Sequence, residues 1–354
     1  MPPLTRQIFS RVLDSWRFRE RVELLMRNRL ANARFSAPRA VPLASMPYAL
    51  DHAAAPARLA GAGAIFITAR FRTGSTLLWQ LFNALPGFRA FYEPLNERHA
   101  EPASWHGTDP THRGATDYRR HYHDAAAPKD ASARWTYENL CMDEGDCDPA
   151  LEAWITRLLH APDATPVLQF NRVDFRLRWL RAHFPGAHVL HLYRHPRAQW
   201  LSMVGGRPIG PSTTLDEFAR HDGFYLLPWA RDLSHVYPFL RPERHQSPYA
   251  LHYLLWRLSY AHGRRFAHQS IAFEALCENV TATVAQVLAR AGYTVAPDEL
   301  APLRRLVDPP AAERWTAFAP ATWFAELEQD CDRQLALAFG NAESSPECEA
   351  TTDA

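Results

Sequence analysis

Ala64-Ile65-Phe66-Ile67, followed shortly by Arg72-Thr73-Gly74-Ser75-Thr76-Leu77-Leu78, is the stretch on which the fold turns. The apolar run predicts a buried strand, and the segment from Ser75 has helical spacing, so the order is strand, tight loop, helix. Gly74 lets the backbone pass close to a ligand, and the first N–H groups of the helix point outward without intrahelical partners. A helix start of this kind attracts phosphate or sulfate. Ser75 and Thr76 add hydroxyls, and Arg72 adds a permanent positive charge on a planar donor fork. The plainer reading is a capped helix with Ser75 as N-cap and Leu77, Leu78, Leu81, Phe82 and Leu85 as its core stripe. A nucleotide-hydrolysing P-loop would read Gly-x-x-x-x-Gly-Lys-Ser/Thr, and no lysine stands near Ser75.

A second strand end has the same character. His188-Val189-Leu190-His191-Leu192-Tyr193 reads as a buried strand, and Arg194-His195-Pro196-Arg197 follows it directly. Pro196 suits the first position of a helix running through Trp200, Leu201, Ser202 and Met203. Arg194 then sits at the carboxyl end of its strand, where open α/β sheets bind ligands. Ser202 lies about two helical turns further on, and an arginine with a serine hydroxyl can hold one phosphate.

Together these motifs resemble the sulfotransferases that use 3′-phosphoadenosine-5′-phosphosulfate (PAPS). The family's first loop, Lys/Arg-x-Gly-Ser/Thr-Thr, grips the 5′-phosphosulfate and is similar to Arg72-Thr73-Gly74-Ser75-Thr76. Its second, Arg-x-Pro-Arg followed by serine, grips the 3′-phosphate and is similar to Arg194 to Arg197 with Ser202. Tyr92-Glu93-Pro94 matches the Glu-Pro element of bacterial and carbohydrate-type members. Phe273-Glu274-Ala275-Leu276 resembles the Tyr-Glu-Asp-Leu segment, and Arg314-Trp315 to Gly340 the closing helices. The resemblance covers roughly residues 60–340. It implies a P-loop-like central parallel sheet flanked by helices, with PAPS held by Arg72, Thr73, Gly74, Ser75, Thr76, Leu77, Arg194 and Ser202. Leu77 stands where cytosolic members often carry a tryptophan that stacks on adenine. Phe273 replaces the tyrosine of its segment, and nothing resembles the Arg-Lys-Gly element of those members. These departures point to a bacterial or carbohydrate-like branch.

The chain has 354 residues and a hydrophobic content of 47%, enough for one sizeable α/β core. A net charge of +1 gives no sign of nucleic acid as partner. Lys129 is the single lysine, and the remaining basic residues are arginine. Cys141, Cys147, Cys277, Cys331 and Cys348 fit neither a zinc framework nor a disulfide scaffold. Cys141 and Cys147 could bridge a loop, but reduced thiols are the expectation. Arg6, Arg11 and Arg17 interrupt the apolar runs near the start, and no stretch has the ~18–20 apolar residues that cross a bilayer. The expectation is a cytoplasmic enzyme with no membrane span.

Residues 1–59 read as an N-terminal helix over 5–35 followed by a proline-rich linker, 60–341 as the catalytic domain, and 342–354 as a disordered acidic tail. Further strands are expected at 167–170 and 270–273, with helices from Asp174 to Phe184 and from Val280 to Ala291. Strands alternating with helices imply parallel βαβ units. Residues 95–150 and 203–265, rich in His, Trp, Tyr and Pro, read as insertions that shape and cover an acceptor pocket.

The resemblance implies sulfuryl transfer to a hydroxyl or amine, governed by positioning and charge stabilisation. Arg72 would stabilise the transferred group. Glu93, glutamate at the Glu-Pro position, is the candidate general base, with His99, His106 and His195 as rivals; a purely structural Glu93 is the alternative. The strand ends carry Asn171 and Arg194 where a kinase would carry a metal-binding aspartate, so no metal is expected. A P-loop kinase and a non-catalytic nucleotide-binding module are the competing functions. The acceptor, whether small-molecule, carbohydrate or lipid-linked, is open.

Overall fold

The computed structural model describes residues 63–100, 117–122, 134–160, 163–307 and 314–339. The expected N-terminal helix, the linker, the acidic tail and His106 lie outside the described residues. Five strands form one parallel sheet: β1 (Ile65–Ala69), β2 (Phe88–Tyr92), β3 (Thr165–Phe170), β4 (His188–Tyr193) and β5 (Gln269–Ala272). Their spatial order is β2-β3-β1-β4-β5. Register is fixed by apolar pairs such as Ile65 with Val167 and Leu192 with Ile271. The central strands are buried along their whole length, as a parallel sheet covered on both faces requires.

After β1 the chain moves to β2 on one side, whereas after β4 it moves to β5 on the other. Adjacent strands whose connections diverge leave a crevice at their carboxyl ends, the switch point where α/β sheets hold ligands. Both arginine motifs end there.

Helix α1 (Ser75–Asn83) packs Leu78, Leu81 and Phe82 into the core on one face of the sheet. Helices α2 (Pro149–Leu159) and α3 (Leu177–His183) cover the other, with Trp154, Leu158, Trp179 and Leu180. Helix α4 (Pro196–Val204) follows β4, with proline in its first turn as the sequence predicts. It leads to α5 (Leu215–Ala219) and α6 (Leu226–Leu233).

Two differences from the sequence reading stand out. Strand β2 carries no prediction, although Pro86 and Gly87, the latter at φ 76°, form the turn that launches it. And much of the second insertion is core: α7 (Pro248–Phe266) is buried from Pro248 to Gly263. Aromatic and aliphatic side chains surround it, so it lacks the one-sided stripe that marks a surface helix. Beyond β5 come α8 (Phe273–Glu278), α9 (Val280–Arg290), α10 (Pro297–Leu300) and α11 (Ala321–Phe339). Phe273, expected to end a strand, begins α8.

Candidate active site

The turn after β1 is tight. Thr73 returns its N–H to the Arg70 carbonyl at 3.3 Å, and its hydroxyl bonds the same oxygen. Arg72 has φ 66°, a left-handed conformation rare outside glycine. Gly74, at φ 96°, is the N-cap of α1, and no side chain caps that end. The expected cap at Ser75 is thereby corrected: Ser75 is already helical, because the chain turns one residue earlier. Gly74 is required on two counts. A side chain would be strained at that φ, and a Cβ would lie 2.2 Å from the Phe273 ring.

The second cradle meets the first directly. Arg72 Nε donates to Ser202 Oγ at 3.0 Å, and Arg194 Nη1 donates to the Arg72 carbonyl at 3.3 Å. The Arg194 guanidinium lies 4.7 Å over the Phe273 ring. Its Nε is buried with no hydrogen-bond partner among the described residues. Burial lowers the pKa of Arg194, Glu274 opposes that, and the charge on Arg72 lowers it further. Two guanidinium groups that repel across a crevice, beside an uncapped helix start, make a site suited to a polyanion.

Residues to which the sequence reading gave no role hold this geometry. Gln199 of α4, fully buried, donates to the Phe71 carbonyl at 2.6 Å and ties the two turns together. Trp256 and His252 of α7 donate to the carbonyls of Arg194 at 2.9 Å and Pro196 at 3.2 Å. Glu274 accepts the His195 N–H at 3.1 Å. Arg70 faces Asp174 at 3.5 Å and lies 4.9 Å from the Trp229 ring. Glu274 lies in the Phe273-Glu274-Ala275-Leu276 motif, whereas the others have no local sequence signature, since each acts across a separation that only the fold closes.

Of the other predicted residues, Thr76 is buried at the start of α1, its hydroxyl 3.2 Å from the Tyr92 phenol. Leu77 is half-buried against the core on the α1 face of the sheet. His195 caps α4 by accepting the Arg197 N–H and stacks on Trp315 at 6.1 Å. Burial and Arg197 pull its pKa down to about 4.

Glu93 stands at the end of β2 with φ 43°, a second left-handed residue without a glycine. Its Oε1 accepts from Asn171 Nδ2 at 2.6 Å, and its Oε2 from Asn96 Nδ2 at 2.7 Å and Arg172 Nη1 at 2.9 Å. Burial pushes its carboxyl up, but Arg172 with the two amides outweighs burial and leaves it below its ordinary value. The turn is pinned carbonyl by carbonyl. Tyr122 donates to Tyr92, His99 to Glu93, Trp154 to Pro94 and Thr136 to Leu95, at 2.8, 3.1, 2.8 and 3.3 Å. Tyr122, His99 and Thr136 of the first insertion therefore help lock the Glu-Pro turn. His99 is buried by these contacts, and burial lowers its pKa to about 4.

Cys141 and Cys147 are unbridged, as are Cys277 and Cys331. Among the described residues no group of three or more His, Cys, Asp or Glu side chains could hold a metal ion. Nor is any described helix long and apolar enough to cross a membrane.

A parallel sheet with a glycine-led helix start and two arginines at its switch point gives an α/β protein of P-loop-like build. The model of the sulfotransferase family matches residues 64–297, and the chain belongs to that family. Among solved structures, the sulfotransferase domain of the Synechococcus PCC 7002 olefin synthase is similar at 17% identity and a TM-score of 0.40, over 78% of this chain and 96% of that one. Mouse sulfotransferase SULT7A1, complexed with PAP, is similar at 10% identity and a TM-score of 0.36, over 81% and 90%. At these scores the likeness adds nothing to the family match. No curated protein matches the chain.

Proposed function

We propose that this protein transfers a sulfuryl group from PAPS to a hydroxyl or amine of a small-molecule, carbohydrate or lipid-linked acceptor, without a metal. The observation that carries the reading is the contact of the two cradles: Arg72 touches Ser202, and Arg194 touches Arg72, at the sheet's switch point. A nucleotide phosphorylated at both ends needs two anion sites on one crevice, and the buried, unpartnered Nε of Arg194 fits one of its phosphates. PAPS supplies an activated sulfuryl group and a phosphate leaving group. Thr73, Gly74, Ser75, Thr76 and Leu77 would line the 5′ end, with Arg194 and Ser202 at the 3′ end.

The work of the protein is then electrostatic. Arg72, the N–H groups at the start of α1 and the hydroxyls of Ser75 and Thr76 face the negative charge that grows on the departing oxygen. Glu93 accepts the proton of the acceptor. Its lowered pKa keeps it ionised at neutral pH but makes it a weak base. A weak base suffices here, because the acceptor oxygen becomes strongly acidic once bonded to sulfur. Oε1 accepts from Asn171, and a carboxylate oxygen has two lone pairs.

Sulfur-labelled PAPS offered with sugar, lipid-linked and phenolic acceptors tests the assignment. Label should move to at least one acceptor, undiminished in EDTA. Glu93→Gln should lose transfer by about 10²-fold or more, the range of general-base catalysis, while still binding adenosine 3′,5′-bisphosphate. Full transfer by that variant removes Glu93 from the chemistry, and abolition by EDTA overturns the metal-free reading.

A further inference from the structure

Arg172 follows Asn171 at the end of β3, and its side chain is 3% exposed. Every nitrogen of its guanidinium is engaged. Nη1 donates to Glu93 Oε2 at 2.9 Å and Asn171 Oδ1 at 2.6 Å, Nη2 to Glu97 Oε2 at 3.1 Å, and Nε to Thr136 Oγ1 at 3.2 Å. The guanidinium lies 5.0 Å from the ring of Phe71, the residue before Arg72, and 5.7 Å from that of Tyr225. Tyr225 in turn donates its phenol to Glu97 Oε1.

We propose that Arg172 is a positioning residue, which aims the Glu93 carboxylate at the acceptor by bridging Glu93, Glu97 and the underside of the Arg72 loop. The inference rests on the sulfotransferase reading above and deepens it. One cation between two carboxylates leaves the trio with an excess negative charge. Glu97 keeps 29% of its side chain exposed, against 10% for Glu93. Without Arg172 the more buried carboxylate is the one that takes up a proton, since burial disfavours its charged form most. The other groups facing Glu93 give little compensation. Tyr92, which hydrogen-bonds Glu93, and Tyr122 are neutral phenols whose pKa values burial raises well above the ordinary value, so neither brings a positive charge to replace that of Arg172. His99 is held neutral, and Tyr225 is turned to Glu97. Arg119 touches the electrostatics of His99 and Tyr122 but is not bonded to Glu93. A lysine would keep the charge yet could not span three partners, because its single ammonium lacks the planar fork.

Arg172→Gln and Arg172→Lys test this, with three readouts: kcat against pH, affinity for adenosine 3′,5′-bisphosphate by calorimetry, and the Glu93 carboxyl titration by carbon-13 NMR, assigned with Glu93→Gln. In Arg172→Gln, kcat should fall about 10²-fold, with the bisphosphate affinity kept. The Glu93 titration and the acid limb of kcat should move up together by about 1–3 pH units. Arg172→Lys should recover the titration in part and kcat less than fully. Wild-type kcat and titration in Arg172→Gln would overturn the proposal. If that variant does not fold, wild-type values for both in Arg172→Lys would do the same. A wild-type protein that does not bind the bisphosphate contradicts the sulfotransferase reading instead, and the NMR titration separates that failure from this one.

Discussion

The turn after β1 and the turn after β2 share one device and use it in opposite ways. Each places a non-glycine residue in the left-handed region at a strand's carboxyl end, Arg72 at φ 66° and Glu93 at φ 43°. Strain of this kind persists only where surrounding contacts over-determine it, and it gathers at functional sites. In the first turn those contacts hold the backbone from behind, through Gln199, Arg194 and Thr73, and the helix start stays without a side-chain cap. In the second the contacts close on the functional group itself, with Asn96, Asn171 and Arg172 all donating to one carboxylate. On the proposed reading one turn receives charge and the other keeps its own.

That contrast can be broken experimentally. The largest effect should come from Arg72→Ala, because loss of a donor facing developing charge costs about 10²–10³-fold in rate. Near-normal kcat would remove Arg72 from the receiving role. Next comes Gly74→Ala, where the φ of 96° and the Phe273 ring act together. Strain of about 1–3 kcal/mol should loosen adenosine 3′,5′-bisphosphate by roughly ten- to a hundredfold, measured by calorimetry. Unchanged affinity would show that the loop does not need its observed shape.

Acid separates the turns by window. His99, His188 and His268 are buried and His195 is half-buried, and their folded pKa values are lowered to about 4 from the ordinary 6.5. Stability from neutral buried histidines is present above 6.5 and lost as pH falls from there toward the folded value. Glu93 acts lower: its contribution is present above its ordinary 4.5 and lost only as pH falls through the depressed folded value. Wild type and Glu93→Gln should therefore show the same fall in Tm between pH 7 and 5. A flat wild-type profile would contradict the buried-histidine assignment. The smallest effect belongs to the link between the turns, the 3.2 Å contact of the Tyr92 phenol with Thr76. Tyr92→Phe should lower stability by about 1 kcal/mol, the usual net worth of a hydrogen bond, as read by urea denaturation.

The first turn was readable in the sequence because it is local. A strand, a glycine and a helix start lie within a dozen residues, and Pro196 marks the second cradle in the same way. The parallel sheet followed from strand–helix alternation, apart from β2, a short edge strand whose aromatic residues also suit a loop. The second turn was readable only as Glu93. Its partners Asn171, Arg172, His99, Tyr122 and Trp154 are scattered through the chain, and nothing in their spacing announces a shared target. The segment holding α7 misled for a related reason. Its His, Trp and Tyr residues looked like a binding wall, whereas Trp256 and His252 reach inward to brace the Arg194 turn.

The central claim is that Arg72 and Arg194 hold opposite ends of one nucleotide. Calorimetry of adenosine 3′,5′-bisphosphate against adenosine 5′-monophosphate, in wild type and Arg194→Ala, tests it most directly. The account predicts that wild type binds the bisphosphate far more tightly and that Arg194→Ala binds the two nearly alike. Equal affinities in wild type, or a preference that survives the loss of Arg194, would contradict it.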